Sequence, residues 1–232
     1  MADGCYRIFP LGDNALTIEF GTDISELLNN KAISLAGYFE AQPFPGFIET
    51  VPAYTSTTIF YDLVTVRNEF AGFATAFEAV ENIVENVLDK LDKASENGSR
   101  IVEIPVSFSE SRALDLDFVA ESNGLDRSEV IEIFISKIYR VYMLGFLPGF
   151  AYMGEVDERI DLPRKASPRL KVPKGSVGIA GRQTGIYPLE SPGGWQIIGR
   201  TDVELFTPHE DSLCFLRPGD LVTFVEVETS LQ

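Results

Sequence analysis

The residues able to do chemistry crowd into one stretch of the chain. Between Arg159 and Arg200 stand eight basic residues and only two acids, Asp161 and Glu190, in a protein of 232 residues with net charge −16. Arg164, Lys165, Arg169 and Lys174 alternate with Pro163, Pro168 and Pro173. Proline stiffens the backbone that carries them. A cation on a pre-ordered loop binds an anion at lower entropic cost than one on a loose tail, and arginine offers a rigid donor fork for carboxylate or phosphate. Gln183, Thr184 and Tyr187 follow, with groups that orient a polar ligand. "SPGGWQIIGRT" (Ser191–Thr201) ends the stretch with the sole tryptophan, Trp195, and with Arg200 and Thr201. Just upstream, "GFLPGFAYMG" sets Phe146, Phe150 and Tyr152 around Pro148-Gly149, a turn stiff enough for aromatics to wall a pocket.

This pattern predicts an anion site. Arg164, Lys165, Arg169, Lys174 and Arg200 would hold a carboxylate or phosphate, with Gln183, Thr184, Tyr187 and Thr201 beside them. Phe146, Phe150, Tyr152 and Trp195 would form the apolar wall, at the mouth of a barrel. Two plainer readings stand next to it: the cations neutralise the acidic chain around them, and the aromatics plug a barrel end. No catalytic base stands out among these residues.

Other chemistries are excluded or disfavoured. The single histidine, His209, sits in the turn-like "FTPHEDSL", and any Ser-His-Asp or Cys-His hydrolase would have to use it. No nucleophile-elbow motif accompanies it. The two cysteines, Cys5 and Cys214, lie at opposite ends of the chain and make neither a disulfide framework nor a zinc site. No metal is expected. "PKGS" does not satisfy the P-loop pattern, so any nucleotide site would be built otherwise. A net charge of −16 argues against nucleic acid or an anionic membrane as partner. There is no apolar run of spanning length and no signal-peptide pattern, so the expected location is cytoplasmic.

The elements that must position these residues are readable in outline. "CYRIFPLGDNALTIEFG" reads as two strands around "LGDN". Asp23 or Ser25 starts a helix running to about Glu40. "FIETVPAY" and "STTIFYDL" read as two more strands. Phe70, Phe73, Ala74, Phe77, Val84, Val87, Leu88 and Leu91 recur at helical spacing, which predicts one long helix. This ββαββα pattern is an α+β domain over residues 1–95, with the boundary at "KASENGSR". Residues 96–232 open with the strand "RIVEIPVSF" and a helical pair, the second capped at Asp126 or Ser128. From Gly145 to Arg200 stand 10 of the 19 glycines and 6 of the 13 prolines, which predicts short strands joined by turns, hence a mainly β barrel. Within it Pro192-Gly193-Gly194 reads as a turn and Gly199 as the end of a short strand. "LCFLRPGDLVTFVEV" reads as two closing strands around "RPGD".

The run from Tyr139 to Thr201, "YRVYMLGFLPGFAYMGEVDERIDLPRKASPRLKVPKGSVGIAGRQTGIYPLESPGGWQIIGRT", closely resembles the allophanate hydrolase subunit 1 / Kip sensor-kinase inhibitor family. "LGDNALTIEFG" and "RPGDLVTF" resemble it too, so the likeness covers nearly the whole chain. The family's bacterial members include the B-type subunit of ATP-dependent 5-oxoprolinase. The resemblance implies a small α/β domain followed by a cyclophilin-like barrel. It implies partners: a paired carboxyltransferase-like subunit (the C-type subunit of 5-oxoprolinase, or the Kip antagonist) and a third, A-type subunit. It implies ATP as co-substrate for opening 5-oxo-L-proline to L-glutamate. Inhibition of a sensor histidine kinase, or a role related to allophanate hydrolase and urea carboxylase, are the alternative functions. Two positions depart from the family pattern. Phe134 stands where many members carry histidine, and "RALDL" keeps Asp115 and Leu116 but not the usual Gly-Pro before them. A histidine that shuttles protons would be missing here; one that only packs could be replaced by phenylalanine.

Overall fold

The computed structural model describes residues 6–91, 99–209 and 213–228. The chain divides into two compact units, Met1–Gly98 and Ser99–Gln232. Cys5 and residues 93–98 of the expected linker lie outside the described residues.

The first unit runs β1 (Arg7–Pro10), β2 (Ala15–Glu19), α1 (Glu26–Ala41), β3 (Phe47–Ala53), β4 (Ser56–Tyr61), α2 (Leu63–Glu69) and α3 (Ala76–Leu91). Its strands form one antiparallel sheet in the order β1-β2-β4-β3. Alternation puts Leu16, Ile18, Ile59 and Tyr61 on one face, where they meet Leu35 and Phe39 of α1 and Val80, Val84 and Val87 of α3. Helix α1 starts where the Ser25 hydroxyl accepts the Leu28 N–H. The single long helix expected from Phe70 does not form. α3 begins only at Ala76, and a turn precedes it. There the Thr75 hydroxyl accepts the Glu78 N–H at 3.1 Å, and the Glu78 carboxylate accepts the Ala74 N–H at 3.0 Å. Phe70 and Phe73 still pack on the core, so their spacing reports burial rather than helix.

The second unit runs β5 (Ile101–Val106), α4 (Leu116–Asn123), α5 (Arg127–Ile135), β6 (Ile138–Leu144), β7 (Ala151–Gly154), β8 (Arg169–Val172), β9 (Ser176–Ala180), β10 (Gln183–Ile186), β11 (Ser191–Gly193), β12 (Gln196–Arg200) and β13 (Leu221–Glu226). Seven strands form a sheet in the order β12-β9-β10-β7-β6-β13-β5. It curls until its ends touch. Ser107, just past β5, exchanges backbone hydrogen bonds with Arg200 of β12 at 2.9 and 3.0 Å. The main core lies on one face of this sheet, where Ile104, Met153, Ile179, Ile198 and Phe224 pack with Leu116 and Val119 of α4 and Phe134 of α5. The fold is thus mixed α and β, with a curled sheet carrying the second unit.

Three local expectations are corrected here. Ser191–Gly193 is not a turn but β11, which pairs with β8 in a separate two-stranded ribbon. Pro192 is tolerated because that ribbon has open edges. Gly199 does not end β12. The strand continues through it to Arg200 over a register shift, and glycine is needed because a β-carbon there would come within 2.6 Å of Val106 Cγ1. Finally, only β13 forms after "RPGD"; the preceding segment contributes a single bridge, Cys214 with Phe206.

Candidate functional site

Strand alternation sorts the aromatic residues. Ala151 and Met153 of β7 point into the main core, so Phe150 and Tyr152 fall on the opposite face. Ile198 of β12 points inward, while Trp195 and Ile197 join the opposite face. There Phe150, Val172, Ala180, Tyr187, Trp195 and Ile197 form a second, smaller cluster. The floor beneath it is a cross-strand glycine pair, Gly178 of β9 opposite Gly185 of β10. A β-carbon on Gly185 would come within 2.8 Å of the Phe150 ring, and one on Gly178 within 3.0 Å of Trp195 Cβ. Only a strand without side chains lets the rings lie this close.

Phe150 is the hub. It meets Tyr152, Tyr187 and Trp195 edge-on, with ring centroids 4.9, 5.3 and 5.4 Å away. Such T-shaped contacts match the positive edge of one ring to the negative face of the next. Phe146 adds a fifth ring edge-on to Phe150 at 5.6 Å, but it is 61% exposed and holds a left-handed backbone, φ 70°. The Tyr187 hydroxyl is pushed up in pKa by burial, an effect opposed by a hydrogen bond from the Trp195 main chain and by the nearby Arg164 charge. The Arg164 guanidinium lies over the Trp195 ring, 5.8 Å from its centroid.

Beside this wall is a charge cluster centred on a residue that the anion-site reading passed over, Asp115. Lys165 Nζ and Arg169 Nη2 donate to Asp115 Oδ1 at 2.8 and 2.6 Å. Arg169 Nη1 and the Ile197 N–H donate to Oδ2 at 2.8 and 2.7 Å. The Asp115 N–H in turn donates to the Ile197 carbonyl at 2.7 Å. Asp115 is 4% exposed. Burial pulls its pKa up, but the bonds from Arg169, Lys165 and the Ile197 amide outweigh it and hold the carboxyl below its ordinary value. Loop 161–168 is pinned over the cluster by the Lys165 N–H on the Gly194 carbonyl (2.7 Å) and by Gln196 Nε2 on the Pro163 carbonyl (3.0 Å).

The remaining expected site residues are placed as follows. Lys174 is tied to Glu204 at 2.7 Å and not to Asp115. Gln183 is half-buried on β10 opposite Gly154. Thr184 is fully buried and donates its hydroxyl to the Gly178 carbonyl at 3.0 Å. Thr201 is buried, and its hydroxyl oxygen accepts the Val203 N–H at 3.2 Å. Arg200 closes the curled sheet through its backbone, while its Nε is buried without a hydrogen-bond partner. Of the eight basic residues, Arg159, Lys171, Lys174 and Arg182 each pair with a single neighbouring acid. The neutralising reading therefore describes those four, and it describes Lys165 and Arg169 only in part, because the two cations share one acid, Asp115.

An open hollow of 330 Å³ lies beside Phe146, lined by residues 144–149 and Cys214 and by no charged group. Among the described residues no group of histidine, cysteine or acidic side chains could hold a metal. No helix among them is long and apolar enough to cross a membrane. Phe134 is fully buried in the main core, stacked on Phe224 at 4.8 Å and tilted against Tyr139 at 5.1 Å. His209 is exposed.

A family model for the carboxyltransferase domain, subdomains C and D, matches residues 6–216. The chain is 48% identical over 223 residues to the B-type subunit of 5-oxoprolinase from Bacillus subtilis, covering 96% of this chain and 93% of that protein. It is 38% identical to the B-type subunit of 5-oxoprolinase from Escherichia coli O157:H7, covering 94% and 95%. Among solved structures, the crystal structure of TTHA0988 superposes with a TM-score of 0.77 at 37% identity, over 93% of this chain but only 40% of that one. The Kluyveromyces lactis urea amidolyase shares the fold, with a TM-score of 0.74 at 23% identity over 15% of its length.

Proposed function

The chain belongs to the carboxyltransferase-domain family, and from that premise we propose that it is the B-type subunit of an ATP-dependent 5-oxoprolinase, which opens 5-oxo-L-proline to L-glutamate. The observation that carries this reading is the end-to-end match to proteins of that name. The geometry supports it. A substrate with a small, nearly flat lactam ring and one carboxylate suits an aromatic wall set beside cations. In this reading Lys165, Arg169 and Arg164 hold the carboxylate, and Phe146, Phe150, Tyr152 and Trp195 shelter the ring. Gln183, Thr184, Tyr187, Lys174, Arg200 and Thr201 frame the strands around them.

The reading extends to a cyclophilin-like barrel for the second unit, a boundary near residue 95, a cytoplasmic location, and assembly with the C-type and A-type subunits of the enzyme. ATP is the co-substrate of that complex, but the "PKGS" segment of this chain does not fit it. Lys174 is committed to Glu204, and the Gly175 N–H is committed to the Tyr187 carbonyl at 2.7 Å. No step through ATP is assigned to these residues. Phe134 belongs to core packing, so the absent histidine leaves the aromatic wall and the clamp intact.

The test is ATP-dependent glutamate release from 5-oxoproline by the reconstituted three-subunit mixture, with and without this chain. Release that requires the chain is the expected result. Equal release without it, from assembled partners, would overturn the reading.

A further inference from the structure

Asp115 stands where a helix-capping aspartate would stand, directly before Leu116 of α4. A capping carboxylate accepts an N–H of the first helical turn. Asp115 makes no such bond, so the helix forgoes the stability that a cap would add. Its oxygens turn away from the helix and take four donors from three distant places: the 161–168 loop, β8 and β12. Two unit cations thus meet one carboxylate, and the cluster keeps one positive charge in surplus. That surplus faces water, because the Lys165 and Arg169 side chains remain 27% and 25% exposed while Asp115 is hidden. Lys165 also lies over the exposed Phe118 ring, 5.8 Å from its centroid. The same carboxylate is bonded to the backbone two residues after Trp195, so the cations and the aromatic wall are tied to one strand.

We propose that Asp115 is a positioning residue: it fixes Lys165 and Arg169 as a paired cationic surface that receives the carboxylate of the cyclic substrate. The inference rests on the oxoprolinase reading for the identity of that substrate. Asp115 does not touch the reacting atoms. Its bonds consume the inner hydrogens of Lys165 and Arg169 and leave their outer ones presented at a fixed spacing, at little further entropic cost on binding.

Asp115→Asn keeps the shape, removes the charge and turns an amide toward the cations. In the assembled enzyme, KM for 5-oxoproline should rise about tenfold while kcat changes little, since an interaction made equally in the ground and transition states is lost. The inhibition constant of 2-pyrrolidinone, the same ring without the carboxylate, should not move. A merely structural role would lower the active fraction, and hence kcat, or weaken both compounds together; either result overturns the proposal. Should Asp115→Asn fail to fold, Lys165→Met gives the same test. It leaves a neutral Asp115–Arg169 pair, and KM should again rise with the 2-pyrrolidinone constant unchanged; an unchanged KM overturns the proposal. A second readout needs no activity. In the isolated full chain, the Arg169 side-chain N–H resonances should be protected from exchange and should lose that protection in Asp115→Asn. Protection retained in the folded variant would overturn positioning, whereas an inactive wild-type complex with the resonances behaving as expected would sink only the oxoprolinase reading.

Discussion

Two aspartates of the second unit are equally buried, Asp115 and Asp220, each 4% exposed and each gripped by an arginine. Their surroundings differ in charge. Asp220 faces one cation, Arg100, whose Nε donates to it at 3.0 Å, and it also accepts the Arg217 N–H at 2.8 Å. The same guanidinium bonds the Phe215 carbonyl at 2.7 Å. The pair is neutral, and it sits where the 217–220 turn feeds β13 into its parallel partner β5. Asp115 faces two cations and is not neutral. A balanced pair closes the fold; an unbalanced one leaves charge for something else to meet.

The largest effect expected from breaking this comparison is on stability at Asp220. Asp220→Ala leaves the Arg217 amide without its acceptor and frees the Arg100 guanidinium, whose side chain is 45% exposed; losing the acceptor of such a donor costs about 2 kcal/mol. The thermal midpoint should fall by roughly 6 °C, while KM for 5-oxoproline in the assembled enzyme stays near wild type. A large KM increase in a folded Asp220 variant would erase the distinction between the two clamps. Lys165→Met makes the Asp115 cluster as neutral as the Asp220 pair. Its thermal midpoint should stay within about 3 °C of wild type, because Lys165 is partly exposed and such pairs add at most about 1 kcal/mol.

Acid sharpens the comparison further. The folded-state pKa of Asp115 lies below its ordinary 3.8. Its contribution is therefore present above that value and is lost as pH falls through the lower folded pKa. The stability gap between wild type and Asp115→Asn, measured by urea midpoints, should be constant from pH 7 to about 5 and shrink below about 4. A gap that stays flat down to about pH 2.5 would mean that Asp115 carries no charge-dependent stabilisation.

Much of this architecture was legible from local signals. The Ser25 and Asp126 caps, the strand pair around "LGDN", and the glycine- and proline-rich run of short strands all report forces acting within a few residues. The misses share one cause. Ser191–Gly193 is a strand only because β8 lies beside it, and Gly199 stays in β12 because it pairs with Val177 of β9, while the nearness of Val106 requires it to be glycine. Phe70 and Phe73 copied a helical period by facing the same core from a turn. The cations were conspicuous by type and by their proline frame. Their partner was not: Asp115 lies 50 residues from Lys165, at a position where an aspartate reads as an ordinary helix cap. Nothing local distinguishes a carboxylate that caps from one that turns away.

Phe146 extends the contrast to the backbone, with the smallest effect of the set. A bulky side chain in the left-handed region is strained by about 1 kcal/mol or more, and Phe146 is also the most exposed ring of the aromatic cluster. It gains neither burial nor a relaxed backbone; what it has is one edge-on contact with Phe150. Glycine adopts that backbone freely. Phe146→Gly should therefore leave the thermal midpoint unchanged or raise it by a few degrees, although glycine loosens the unfolded chain and offsets part of the relief. If the ring shelters the substrate, the same variant should raise both KM for 5-oxoproline and the 2-pyrrolidinone inhibition constant, because the wall meets the ring and not the carboxylate. Asp115→Asn should move only the first of these constants, so the two variants would separate the aromatic half of the site from the charged half. A Phe146→Gly variant that is less stable and fully active would assign the strained phenylalanine to the fold instead.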